Sequence, residues 1–156
     1  MDLIQIVDAA LAEAARKAGP WLVCKPGCAE CCTGSFEISH EDVDRLRFGL
    51  AQLEPAHAAR IVQRAAHFVE LEEELADETP CPALDPETQT CELYQWRPLT
   101  CRLFGPPVRG ASGAIGICEL CFHGASEEEI AACELKIDPG LLNDEDAGGS
   151  VAQALL

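Results

Sequence analysis

The stretch Cys24-Lys25-Pro26-Gly27-Cys28-Ala29-Glu30-Cys31-Cys32 places four cysteines within nine residues, and two of them are adjacent. Six more follow in a chain of 156 residues: Cys81, Cys91, Cys101, Cys118, Cys121 and Cys133. Proline and glycine inside the stretch favour a loop over a helix. Only 5% of the residues are aromatic, and small or lean cores are often reinforced by disulfides or metals. The fold therefore depends on what holds these sulfurs.

The charge of the chain argues against nucleic acid and anionic lipid as partners. The formal net charge is −16, whereas nucleic-acid binding depends on lysine and arginine that neutralise phosphates. The acidity is explained either by solubility or by a basic partner or cations as ligands. No run of about 18 apolar residues is present, so we expect no membrane span, and the N-terminus does not resemble a signal peptide. We predict a cytoplasmic protein, in which dense cysteines indicate metal or catalysis more often than disulfides.

The apolar spacing predicts a mostly α, small single domain of about four helices. These cover residues 2–18, a segment that begins after an N-cap at Ser39, a segment from Pro55 to about residue 76, and a segment from a Ser126–Glu129 capping box to about residue 136. Residues 108–117 are expected to form a short β-hairpin. Two cysteine-rich loop regions would converge on a metal site. We place this domain at residues 1–137, followed by an acidic tail, 138–156, that is either mobile or docked by its apolar end.

Two short cysteine pairs have the spacing of metal chelates. In Cys28-x-x-Cys31 and in Cys118-x-x-Cys121, two intervening residues let the chain turn around one ion and present two thiolates to it. Two such pairs would make a tetrahedral site of four thiolates, although nearly ninety residues separate them. The adjacent Cys31 and Cys32 either serve different metals or sides of a cluster, or comprise one ligand and one small buried side chain.

The stretch around Cys101 predicts a short helix with Pro98 in its first turn. There the helix dipole would lower the pKa of the Cys101 thiol. Arg97 and Arg102 would then donate hydrogen bonds to thiolates or neutralise an anionic cluster, and the alternative is that they form ion pairs on the acidic surface. Cys133 is expected to be a buried apolar thiol. His123, two residues after Cys121, is the best histidine candidate for a ligand.

Two blocks of sequence resemble the YkgJ-type cysteine-cluster family, the zinc- or iron-chelating CxxCxxCC domain. One is Cys28-x-x-Cys31-Cys32; the other joins Cys81-Pro82-x-Leu84 to Cys91-x-x-Tyr94-x-x-Arg97-Pro98-x-x-Cys101-Arg102-x-Phe104. The resemblance spans roughly residues 20–122. It implies a ligand set that comprises Cys24, Cys28, Cys31, Cys32, Cys81, Cys91 and Cys101, and Cys118 or Cys121 would complete this set. One departure is that three residues, instead of two, separate Cys24 from Cys28, so Cys24 either reaches a different metal position or does not bind.

Three functional hypotheses follow. The first is a metal-binding protein whose cysteines ligate an iron–sulfur cluster or zinc, because thiolate-rich sites suit both. Adjacent cysteines and nearby arginines favour the cluster slightly. The second is a component of a protein-modifying enzyme, because flagellin lysine methylases are similar in cysteine pattern; no S-adenosylmethionine loop is recognisable. The third is thiol-based metal storage or delivery. The sequence identifies no protein partner and no substrate.

Overall fold

The computed structural model describes residues 3–71, 73–110, 112–138 and 147–156. Over these residues the chain is mostly helical, as predicted, with seven α-helices and two small two-stranded sheets. The helices are α1 (Leu3–Ala18), α2 (His40–Ala51), α3 (Pro55–Val69), α4 (Glu73–Glu78), α5 (Leu99–Arg102), α6 (Glu127–Ala132) and α7 (Val151–Ala154). The strands are β1 (Glu37–Ser39), β2 (Val108–Arg109), β3 (Ile115–Gly116) and β4 (Ala147–Ser150). The three helices beyond the predicted four are α4, α5 and α7, each of four to six residues. The short helix α5 was expected from the sequence around Cys101, and the other two are too short to show an apolar period.

The chain divides into two compact units. The first unit comprises Met1–Lys25 and Cys101–Asn143, and the second comprises Pro26–Thr100 and Asp144–Leu156. Each unit has an apolar core of its own, and the two are described separately below. Every helix among the described residues is too short or too polar to cross a bilayer.

The second unit is built on α2 and α3, whose apolar faces share one core. Leu46 of α2 and Ile61 of α3 are almost fully buried there, together with Leu93 and Leu155. Ser39 caps α2 by accepting a hydrogen bond from the Asp42 amide, as predicted. Burial of these apolar side chains is the main source of the unit's stability.

The C-terminal segment completes the core of the second unit. Strand β4 pairs antiparallel with β1, with Ile38 opposite Gly149, and α7 then places Leu155 in the core. The Ser150 side chain caps α7 by accepting from the Gln153 amide. Residues 139–146 of the predicted acidic tail lie outside the described residues, so its boundary at residue 137 stays a prediction. The apolar end of the chain docks in the second unit, which was one of the two alternatives.

The first unit is built on α1, the β2–β3 hairpin and α6. The hairpin is antiparallel, with Val108 opposite Gly116, so the predicted hairpin is present. The Ser126–Glu129 capping box at the start of α6 is also confirmed. A small core cluster in this unit contains Ala18 and Phe122, and the Phe122 amide donates to the Trp21 carbonyl at 2.9 Å.

Two helices end earlier than their sequences predicted. Helix α3 ends at Val69 instead of near residue 76, because the run that follows is acidic and negative charge at a helix C-terminus opposes the macrodipole. Helix α6 ends at Ala132 instead of near residue 136. There the Leu135 amide donates to the Pro107 carbonyl at 2.8 Å, so that tertiary bond replaces a further turn of helix.

Candidate metal centre

The ten cysteines divide between the two units, and none of the ten is in a disulfide. The second unit contains Cys28, Cys31, Cys32, Cys81 and Cys91; the first contains Cys24, Cys101, Cys118, Cys121 and Cys133. The division falls inside the opening stretch, between Cys24 and Cys28. The nine-residue cluster seen in the sequence is therefore split between two structural groups.

Backbone pairing brings four thiols of the second unit into one neighbourhood. The Cys81 amide donates to the Cys32 carbonyl at 2.7 Å, and Thr33 pairs with Pro80 as an antiparallel bridge. A second bridge joins Leu84 to Cys91, which returns the chain toward Cys81. Cys31, Cys32, Cys81 and Cys91 thus lie on neighbouring segments, and we call them the second-unit thiol group.

Cys31 and Cys32 form a hydrogen-bonded thiol pair. The hydrogen bond from the Cys32 thiol lowers the pKa of Cys31 to about 6, because it stabilises the Cys31 thiolate. The same bond, with burial added, raises the pKa of Cys32. The two adjacent thiols therefore differ in character, because ionisation is favoured at Cys31 and opposed at Cys32.

Burial opposes ionisation at the other two members of the group. It raises the pKa of Cys81 to about 11 and also raises the pKa of Cys91. Negative charge on Cys31 raises both pKa values further, because ionised thiols repel one another. A bound metal cation would offset that repulsion, because its positive charge stabilises the deprotonated thiolates.

Arg97 supplies positive charge to this group. Its guanidinium lowers the pKa of Cys31 and of Cys91 by Coulombic attraction. The side chain is held in place at Tyr94, where its Nε donates to the backbone carbonyl at 3.0 Å and its guanidinium carbon lies 3.6 Å from the ring centroid. Such a cation–π contact orients the charge without neutralising it.

A second set of thiols lies in the first unit. The Cys24 and Cys121 sulfurs are 4.0 Å apart, and the Cys121 amide donates to the Cys118 carbonyl at 2.9 Å in a tight turn. Gly105 has φ +119°, and a Cβ at this position would lie 3.1 Å from the Cys24 sulfur. A glycine is thus needed where the backbone passes the thiol. We call Cys24, Cys118 and Cys121, together with Cys101 of the same unit as a further candidate, the first-unit thiol group.

The remaining predicted residues occupy different surroundings. Arg102 is buried and makes a bidentate ion pair with Asp8 of α1, with Nη1 at 2.6 and 2.9 Å from the carboxylate oxygens. Cys133 is buried in the core of the first unit beside Cys121 and Phe122. His123 is exposed, and Cys28 is partly buried in the second unit.

One charged cluster next to the second-unit thiol group was not predicted from the sequence. Glu92, whose side chain is 10% exposed, is contacted by Arg64 and His57, both on α3. Arg64 also donates from Nε to the Pro82 carbonyl at 2.8 Å. The spacing of seven residues that puts these two basic side chains on one helix face was visible in the sequence, but Glu92 as their partner was not. Arg64 also lines a cavity of about 350 Å³ whose walls include Phe68, Cys81 and Leu84.

These groups have the donor chemistry of a metal site but not its finished geometry. Within the described residues, no three cysteine, histidine or acidic side chains are already arranged to hold one ion. The donor sets fit zinc or iron, because clustered thiolates are the ligands of both structural zinc and iron–sulfur clusters.

Comparison with known families agrees with this chemistry. A family model named CxxCxxCC, described as a "putative zinc- or iron-chelating domain", matches residues 23–130, which is more than half of the chain. The matched region contains all nine cysteines of the loop regions. Comparison with the curated proteins and with the solved structures gave no significant match. The chain therefore belongs to the CxxCxxCC family of metal-chelating domains.

Proposed function

We propose that the protein binds an iron–sulfur cluster or zinc through its clustered cysteine thiolates. The observation that carries the proposal is the second-unit thiol group, in which backbone pairing brings the segments of Cys31, Cys32, Cys81 and Cys91 together. Four thiolates are the complete ligand set of a structural zinc ion or of a common iron–sulfur cluster. Cys28, three residues before Cys31, is a fifth candidate ligand there.

The first-unit thiol group is the candidate for a second site. Two thiolates that share a tetrahedral metal at about 2.3 Å are separated by about 3.8 Å. The sulfurs of Cys24 and Cys121 are already 4.0 Å apart, and Cys118 lies at the other end of the same turn. Cys101 would supply the fourth thiolate. This grouping gives Cys24 a role that accounts for its departure from the usual spacing.

Arg97 and Arg102 are the candidates for contacts outside the ligand shell. Arg97 favours negative charge at Cys31 and Cys91, as an arginine beside an anionic thiolate cluster would. Arg102 is already paired with Asp8, so we propose that it positions the adjacent Cys101. An anionic multi-metal cluster benefits more from such charge than a single zinc ion does, which favours the iron–sulfur cluster slightly.

Free thiols in such number require a reducing compartment, so we propose that the protein works in the cytoplasm. With a net charge of −16, it would have no nucleic-acid partner, because like charges repel.

Anaerobic purification from cells supplied with iron and zinc tests the proposal. A brown protein that contains iron and acid-labile sulfide supports the cluster, and a colourless protein with one or two equivalents of zinc supports the zinc site. A protein that contains neither metal contradicts the proposal.

A matched pair of variants assigns the metal to the thiols. Cys91→Ala removes a member of the second-unit thiol group, and Cys133→Ala removes a buried thiol outside both groups. We expect Cys91→Ala to lose metal and Cys133→Ala to keep it. Equal metal contents in the two variants would show that Cys91 is not a ligand.

A further inference from the structure

The segments that carry Cys81 and Cys91 are joined through one side chain. Arg64 projects from α3 and donates from Nε to the carbonyl of Pro82, the residue after Cys81. Its Nη2 atom contacts the carboxylate of Glu92, the residue after Cys91. One guanidinium thus binds the immediate neighbours of two proposed ligands.

The carboxylate at this junction is itself held from two sides. His57, two turns before Arg64 on α3, contacts the other oxygen of Glu92 through its Nε2 atom. The Glu92 amide donates to the Ala83 carbonyl at 2.8 Å, so its backbone is also bonded to the Cys81 segment. A carboxylate that is only 10% exposed requires such partners, because an unpaired buried charge is costly.

We propose that Arg64 is a positioning residue, which holds the Cys81 and Cys91 segments at the separation that a shared metal requires. The inference rests on the proposed function. A planar guanidinium has donors in a fixed fork, so it can satisfy a carbonyl and a carboxylate together and fix the distance between them. Residues that orient ligands in this way typically change metal affinity by 10- to 100-fold when they are removed.

Helix α3 offers a matched control. Arg60 lies one turn before Arg64, and its Nη1 donates to the Ala56 carbonyl of the same helix at 3.3 Å. Arg60→Met removes the same charge from the same helix. Arg64→Met removes the bridge as well, and Arg64→Lys keeps a positive charge but cannot span both acceptors as the guanidinium does.

The test measures metal loss from the full-length protein, purified without oxygen, in excess chelator. Alkylation by iodoacetamide, read by mass spectrometry, reports at the same time which cysteines become accessible. We expect Arg64→Met to release metal 10- to 100-fold faster than the wild type, with loss of protection at Cys81 and Cys91 but not at Cys118 and Cys121. Arg64→Lys should release metal at a rate between those of Arg64→Met and the wild type, and Arg60→Met should release it at the wild-type rate.

Two results would overturn the inference. Metal release from Arg64→Met at the rate of Arg60→Met would show that the bridge does not position ligands. Equal loss of protection at Cys81 and Cys118 would show that Arg64 serves general stability instead. Wild-type protein purified without metal would contradict the proposed function itself, which is a different outcome from either of these.

Discussion

Replacing Gly49 with alanine should destabilise the second unit, although alanine is the better helix former. Gly49 is buried on α2, and a Cβ built there would lie 2.5 Å from two ring carbons of Trp96 and 2.8 Å from its Cβ. Contacts this short force the indole to move away from the core against which it packs. Because Trp96 follows the Cys91 segment and precedes Arg97, its displacement also bears on the second-unit thiol group.

The magnitude follows from two opposing effects. Glycine to alanine inside a helix stabilises by about 1 kcal/mol at most. Overpacking in a filled core costs about 1–3 kcal/mol, and two contacts with a rigid ring plus one with the Trp96 Cβ, all below 3.0 Å, place this site toward the upper end. The free energy of unfolding should therefore fall by about 1–2 kcal/mol. Urea denaturation followed by circular dichroism at 222 nm measures it.

A double-mutant comparison isolates the steric cause. In a Trp96→Gly background the ring and the Cβ of residue 96 are both absent, so Gly49→Ala should become neutral or stabilise by up to about 1 kcal/mol. Stabilisation of the wild-type protein by Gly49→Ala, or an equal effect of Gly49→Ala with and without Trp96, would contradict the steric cause.

Two further predictions concern a thiol pair and the C-terminal helix. In metal-free reduced protein, the rate of alkylation of Cys31 should rise with pH through a midpoint near 6, because only its thiolate reacts. Cys32→Ala removes the hydrogen-bond donor and should move that midpoint toward 9. Cys32→Ser keeps a donor and should move the midpoint less. Equal midpoints in the two variants would contradict the assigned hydrogen bond. Leu155→Ala, at a fully buried site, should lower the free energy of unfolding measured by urea denaturation by about 2–5 kcal/mol. Leu156 is 60% exposed, so Leu156→Ala should lower it by less than about 0.5 kcal/mol. Similar losses in the two variants would argue against docking of this helix.

Local features of the fold could be predicted because their causes are local. The caps at Ser39 and Ser126 depend on a hydroxyl and an amide three residues away, and both are present as expected. The pairing of β1 with β4 could not be foreseen, because about 110 residues separate the strands and only glycine, alanine and serine occur in β4. Short, polar strands carry no alternating apolar signal.

The candidate site was predictable in composition but not in grouping. The sequence singled out the nine loop cysteines as candidates, but its spacing left open whether Cys24 reaches a different metal position from Cys28 or does not bind. In the structure the sulfur of Cys24 lies beside that of Cys121, which is 97 residues away. Glu92 was missed for the same reason, since its partners on α3 are 28 and 35 residues distant in sequence. Tertiary contacts of this length leave no trace in local patterns.

X-ray absorption at the edge of the bound metal tests whether cysteine thiolates hold that metal, because it counts the atoms that touch it. For protein purified without oxygen, we expect a first shell of about four sulfur atoms at about 2.3 Å from the metal. A further iron shell beyond the sulfurs would identify a cluster, and its absence at a zinc edge would identify zinc. A first shell made mainly of nitrogen or oxygen would contradict the assignment of the clustered cysteines as the ligands.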